Sequence, residues 1–338
     1  MKKKFVLSGY FGFKNFGDEA ILSVLVNKLQ TDNNNITVIT SDPEYTKNIF
    51  NNSVSTVKTF DFKAIIKAIY KSDILVSGGG SLLQDVTSLK SLLYYLIIIF
   101  IAQFFGKKVI IFAQGIGPIK SGFGRFLTKQ LLKNCSYVSV RDKKSFEFLQ
   151  SGGIKSDLLC DPIFSVKIPY CEKNKTVAVQ LRDCRGMNND FLDRLADSVC
   201  KNFKGYDVEI YSFQDSIDFD TCKNFEKNIN MLDPDVKTIV FSGLTNNEIA
   251  EKISKAQYLI SMRFHAIIVG LLAGVKTLAI NYDIKVEKLA KEFDLPMIDL
   301  KKEFGEMFSL LKSQNTETVN SKVSNMNFDW SGFENSIK

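Results

Sequence analysis

The sequence predicts two tandem, doubly wound α/β domains with a ligand cleft between them, and three observations carry that expectation. Short apolar, β-rich runs alternate with longer amphipathic stretches from end to end of the chain. Near-continuous apolar strands separated by helices indicate parallel sheets covered on both faces. The alternation breaks at a loop around residues 169–175 and then restarts. Finally, 338 residues suit two domains of about 100–200 residues each. Two Rossmann-like domains are therefore expected over residues 1–168 and 174–315, followed by a tail over 316–338.

In the first half, the apolar runs at 5–9, 36–40, 74–77, 109–113 and 137–140 read as strands. Amphipathic or apolar stretches at 18–29, 62–70, 88–105, 123–133 and 143–150 read as the helices between them. In the second half, strands are expected at 176–181 (TVAVQL), 207–213, 238–241, 258–261 and 277–281. Helices follow at 190–203, 220–230, 246–255, 265–272, 285–293 and near 302–312. Residues 92–105 (LLYYLIIIFIAQFF) are the one membrane suspect. The run is short for a spanning helix and holds Gln103, so a buried helix between strands is the favoured reading. The polar tail carries the single tryptophan, Trp330, and is expected either to dock through Phe328, Trp330 and Phe333 or to fray.

Composition excludes several classes. With 45% hydrophobic and 24% charged residues, the chain is neither disordered nor a coiled coil. Net charge is +7, and apart from Lys2–Lys4 it is not gathered into basic blocks, so no nucleic-acid partner is expected. Lys2–Lys4 and the brief apolar run after it are too short for a signal peptide. The six cysteines form no CxxC pair, and their spacing with histidine does not suit zinc. They are expected to be reduced thiols in a cytoplasmic protein, and no metal site is expected. There is one histidine, His265, and there are six arginines in a chain that otherwise favours lysine. Each arginine is thus a candidate for a place where a planar fork matters.

Chemistry in doubly wound folds collects beyond the carboxyl ends of strands, and the motifs sit there. After the first strand comes SGYFGFKNFGDEAIL, with Gly9, Gly12 and Gly17 permitting close backbone approach and Asn15 and Asp18 beside a helix start. Asp18 and Glu19 also suit an N-cap and first-turn acids. The loop is not GxGxxG, and no GxxxxGK[ST] occurs, which disfavours dinucleotide and P-loop chemistry. After the strand at 74–77 comes SGGGSLLQD, where Gly79 and Gly80 form a backbone cradle for an oxygen-rich ligand and Gln84 and Asp85 can meet hydroxyls. AQGIGP and SVRD follow later strands, the latter presenting Arg141. Arg182 has the same placement in the second half, whereas Arg125 and Arg194 fall on helix faces. SMRFHA delivers Arg263 and His265 to a strand end, and NYDIKV delivers Tyr282, Asp283 and Lys285 to the neighbouring one. An imidazole beside permanent cations describes an anion site with an acid/base group next to it.

These motifs, together with CDPIF and in this order, resemble the polysaccharide pyruvyl transferase family, most closely the CsaB-type enzymes that act on cell-wall glycans. The resemblance implies a GT-B-like two-domain fold and transfer of a pyruvyl group from phosphoenolpyruvate to a sugar, with phosphoenolpyruvate a co-substrate and no cofactor. It further implies a 4,6-ketal on N-acetylmannosamine of a lipid-diphosphate-linked secondary cell wall precursor, a product used in S-layer anchoring. By resemblance, His265 and Lys285 are the catalytic pair, while Arg263, Arg141, Lys285 and Arg182 bind phosphoenolpyruvate. The first-domain set Asn15, Asp18, Gly79, Gly80, Gln84 and Asp85 is then expected to bind the acceptor. A lipid-linked acceptor brings with it an expectation of peripheral contact with the inner face of the plasma membrane. Two rivals share the scaffold: a glycosyltransferase using a nucleotide-sugar donor, and a non-catalytic glycan-binding protein.

Overall fold

The computed structural model describes every residue except Met1, Asn33, Thr87 and Tyr170. Thr87, beside the second glycine motif, and Tyr170, in the expected interdomain loop, thus lie outside the described residues. The chain divides into two compact units, one of residues 1–165 with 327–338 and the other of residues 166–326.

The first unit runs β1 (Lys4–Ser8), α1 (Phe16–Gln30), β2 (Asn35–Thr40), α2 (Pro43–Ile49), β3 (Ser55–Lys58), α3 (Phe62–Lys71) and β4 (Ile74–Gly78). It continues with α4 (Leu89–Phe104), β5 (Lys108–Gln114), α5 (Gly122–Lys133), β6 (Tyr137–Val140), α6 (Lys143–Gln150) and the short β7 (Asp157–Leu158). These strands form a 7-stranded sheet in the order β3-β2-β1-β4-β5-β6-β7, with every pairing parallel. β1 and β4 are buried along nearly their whole length, which explains their unbroken apolar sequence. Starts of α2, α3, α4, α5 and α6 carry Asp or Ser caps; Asp61, for instance, accepts the Ala64 N–H at 3.0 Å. α2 and β3 are additions to the sequence reading, because seven- and four-residue pieces carry too little periodicity to register.

The second unit runs β8 (Asn174–Gln180), α7 (Asn189–Asn202), β9 (Asp207–Tyr211), α8 (Asp215–Leu232), β10 (Thr238–Phe241), α9 (Asn246–Lys255) and β11 (Ala256–Ser261). Then come α10 (Phe264–Leu272), β12 (Lys276–Asn281), α11 (Ile284–Glu292), β13 (Met297–Asp299), α12 (Met307–Ser313) and α13 (Thr316–Ser324). Its 6-stranded sheet is parallel throughout, in the order β10-β9-β8-β11-β12-β13. α8 begins five residues before the expected start at 220, which places Asp218 inside a helix rather than in a loop. Arg194 is not a solvated helix-face charge. It pairs with Asp190, donates to the carbonyls of Leu300 and Lys302, and lies over the Phe304 ring at 5.1 Å.

The last helix, α14 (Ser331–Ile337), belongs to the first unit. Phe328, Trp330 and Phe333 pack around Phe112 of β5 with ring centroids 5.4, 5.3 and 5.3 Å away. Burying Phe333 completely contributes about 1.5–3 kcal/mol. That packing, not propensity, holds so short a helix.

Candidate functional site

In each sheet the connections run outward in both directions from one pair of neighbours: β1 with β4, and β8 with β11. Chains leaving such a pair diverge, opening a crevice at the carboxyl ends where ligands bind. In the second unit, the segment after β8 carries Arg182 and the segment after β11 carries Arg263 and His265. β12 lies beside β11, and beyond it come Tyr282, Asp283 and Lys285.

Arg263 is held from several sides. Its backbone N–H donates to Oε1 of Gln180 at 2.8 Å, and Ser261 Oγ lies 3.2 Å from the same oxygen. Its Nη2 contacts both carboxylate oxygens of Asp218 at 2.8 Å. Arg263 is 7% exposed and Asp218 is fully buried. The N–H groups of Phe213 and Gln214 also donate to Oδ2 of Asp218. Burial pushes the Asp218 carboxyl up, and the charge of Arg263 opposes that shift. The buried Nε of Arg263 has no hydrogen-bond partner among the described residues, so part of a fixed guanidinium fork is left with its donor unspent.

His265 lies in the first turn of α10, half-buried, with its ring edge-on to Phe264 at 5.2 Å. Arg182 is half-buried; its N–H donates to Sδ of Met262 at 3.3 Å, and its guanidinium lies 5.8 Å from the Tyr282 ring centre. It also contributes to the electrostatic surroundings of Asp218. Asp283 caps α11 by accepting the Lys285 N–H at 2.8 Å, and the Lys285 side chain is exposed. The fold therefore gathers Arg182, Arg263 and His265 at the divergence of β8 and β11, with Lys285 beyond the adjacent strand. Asp218 was missed by sequence reasoning. Its signal, an acid on the inner face of an amphipathic helix, is hidden when the helix is started after it.

In the first unit the two glycine loops follow β1 and β4. Asn15 Nδ2 donates to Oδ2 of Asp18 at 2.7 Å. Gly80 has φ +52, and a Cβ there would come within 2.5 Å of Asp18 Oδ1. Only glycine lets this loop close onto that carboxylate. The Gly115 N–H donates to the Gly80 carbonyl at 3.0 Å, joining the loop after β5 to the same edge. Gln84 Oε1 accepts the Val86 N–H at 2.6 Å. Both oxygens of Asp85 accept backbone amides, from Lys120 at 2.8 Å and Ser121 at 2.7 Å, which ties together the loops after β4 and β5. Arg141, at the end of β6, forms a buried ion pair with Asp161.

Glu19 differs from an ordinary first-turn acid. It is buried in α1, its Oε1 accepts the Gly12 N–H at 2.7 Å, and Oε2 has no partner among the described residues. Burial, reinforced by Asp18 and opposed by the Gly12 amide, raises its pKa from 4.5 to about 8. The folded state thus retains a proton that the unfolded chain releases, and stability falls as pH rises from 4.5 to 8. Glu19→Gln keeps the acceptor for Gly12 and removes this dependence. Urea midpoints at pH 5 and pH 8.5 are expected to fall for the native chain and stay level for the variant; parallel behaviour would refute the assignment.

Two parallel-sheet α/β units, each with loops at its strand divergence, make a two-domain fold of the GT-B-like kind. Residues 15–284 match the family described as polysaccharide pyruvyl transferase, and the chain belongs to that family. Membership supports a transferase moving the pyruvyl group to polysaccharide. Similar solved structures include a putative UDP-N-acetylglucosamine 2-epimerase from Listeria monocytogenes, with TM-score 0.64, 11% identity, and 100% of this chain and 94% of that one covered. The UDP-GlcNAc 2-epimerase from Neisseria meningitidis, bound to UDP-GlcNAc, gives TM-score 0.64 and 12% identity over 96% and 95% of the two chains. A glycosyltransferase from Rickettsia africae gives TM-score 0.59 and 13% identity over 97% and 94%. At such identities the likeness establishes the fold alone. No curated protein matches the chain at a significant level.

Proposed function

We propose that the protein transfers the pyruvyl group of phosphoenolpyruvate to a sugar as a cyclic ketal and releases phosphate. The observation that carries the reading is the buried, anchored Arg263 fork at the β8/β11 divergence, with an unspent Nε and with His265 two residues on. Phosphoenolpyruvate presents a carboxylate and a phosphate, and a fixed guanidinium with further cations suits both.

The bond changes define the roles. A proton is added to the methylene carbon of phosphoenolpyruvate, and the central carbon becomes electrophilic. One sugar hydroxyl attacks that carbon and loses its proton. The carbon–oxygen bond to phosphate then breaks with its electron pair on phosphate, and the second hydroxyl closes on the resulting electrophilic carbon, its proton ending on the released phosphate. His265 serves as the general acid/base, worth about 10²–10⁴ in rate. Lys285, Arg263 and Arg182 hold the donor and stabilise charge on departing phosphate. Arg141 is carried over to donor binding by the family resemblance. Asn15, Asp18, the Gly79–Gly80 backbone and Gln84 are assigned to the acceptor, and Asp85 supports them by holding the loop at 118–121.

By the same resemblance, the enzyme is of CsaB type and acts in the cytoplasm. Its acceptor is a lipid-diphosphate-linked secondary cell wall precursor, ketalised on the 4- and 6-hydroxyls of N-acetylmannosamine, and the product serves S-layer anchoring. Incubation with phosphoenolpyruvate and a synthetic lipid-linked disaccharide tests the reading. Phosphate release with a matching gain of pyruvate mass on the sugar is expected. Consumption of a nucleotide-sugar instead, or binding without turnover, would overturn it.

A further inference from the structure

We propose that the outward face of α3 and α4, together with the start of α5, is a docking surface for an anionic lipid bilayer. α4 is apolar all round. Its inner stripe, including Leu92, Leu96 and Ile99, is buried on the sheet, while Ile97, Phe100 and Phe104 face outward. Phe104 is 73% exposed and Phe100 55%. On α3, Phe62, Ile66 and Tyr70 form a second exposed stripe at four-residue spacing, above buried Ile65 and Ile69. The stripes meet, because Phe105 packs edge-on against Tyr70 at 5.4 Å and against Phe104 at 5.4 Å. Phe123 and Phe126 on the neighbouring α5 are also exposed, and α5 packs against α4 where Gly124 approaches Leu92. Scattered surface aromatics are ordinary; a continuous aromatic face across neighbouring helices marks an interaction site.

Charge decides the occupant. Lys63, Lys67 and Lys71 follow the α3 stripe one residue on, all are exposed, and none forms an ion pair among the described residues. Lys107 Nζ lies 5.7 Å from the Tyr70 ring centre. From Phe62 to Arg141 the sequence holds only Asp73 and Asp85 as acids, and Asp85 is committed to the backbone of residues 120–121. Aromatic residues flanked by unpaired lysines fit a surface of anionic headgroups over acyl chains. α4 is 16 residues long with its inner stripe in the core, and no helix among the described residues is long and apolar enough to cross a membrane. The face therefore lies on the bilayer without spanning it.

Vesicle sedimentation tests this without donor or acceptor, so its failure and that of the pyruvyl-transfer reading are separable. Phosphatidylcholine vesicles with and without phosphatidylglycerol are compared for the native chain, for Phe100→Ser with Phe104→Ser, and for Lys63→Gln with Lys67→Gln and Lys71→Gln. Native protein is expected to prefer anionic vesicles at least roughly tenfold and to release with salt. Each lysine is worth roughly fivefold, so the triple variant loses most of that preference. The phenylalanine variant loses binding by roughly tenfold or more while keeping the native thermal midpoint. Equal binding to both vesicle types, no binding, or unchanged binding by both variants overturns the proposal. So does a native oligomer that the phenylalanine variant converts to monomer, since the face would then be a contact between copies of the chain.

Discussion

Replacing His265 with Ala is expected to lower kcat for ketal formation by a factor of about 10²–10⁴, the usual worth of a positioned acid/base. The protein should remain folded, because the ring is half-buried in the first turn of α10, edge-on to its neighbour Phe264, and does not belong to the fully buried core. The KM for phosphoenolpyruvate is expected to change little, since donor affinity is assigned to the cations. Lys285→Ala should show the opposite split, with the donor KM raised. Steady-state phosphate release at varied phosphoenolpyruvate separates the two. Near-native kcat in His265→Ala would remove the imidazole from the proton transfer and leave only a binding site around Arg263.

The sequence made the alternation, both parallel sheets and the strand-end motifs legible, because buried parallel strands are written as unbroken apolar runs such as VIIFA and TVAVQL. Pieces too short for periodicity, such as β3 and β7, were not legible. Neither were partnerships between distant residues. Arg263 stands out as a scarce fork at a strand end, but nothing local says that Asp218, 45 residues earlier, faces it. Likewise Glu19 reads as a dipole-favoured acid, and only the Gly12 loop folding over it reveals a buried carboxyl. The run at 92–105 shows both sides of the matter: hydropathy identified a buried helix, while the outward aromatic stripe follows from how that helix is rotated on the sheet. Periodicity cannot show rotation in a helix that is apolar all round.

Asp218→Ala is expected to cost about 3–5 kcal/mol, because it leaves the buried Arg263 charge without its counter-ion. The urea midpoint of the variant measures this directly, and a change below about 1 kcal/mol, the range of an exposed pair, would show that the pair is not buried in solution. Activity distinguishes a mere packing role from one in donor binding. If Asp218 only fills the core, the surviving folded fraction should turn over normally. If it aims the Arg263 fork, phosphoenolpyruvate KM should rise even after correction for the folded fraction. At equal phosphoenolpyruvate concentration the rise in thermal midpoint should then be smaller for Asp218→Ala than for the native chain, because the gain follows the ratio of ligand to Kd. The milder Asp218→Asn substitution keeps the volume and the amide contacts of Phe213 and Gln214 while removing the charge. It is expected to fold and to retain the KM defect, which places the effect in the charge of Asp218 and not in the shape of its side chain.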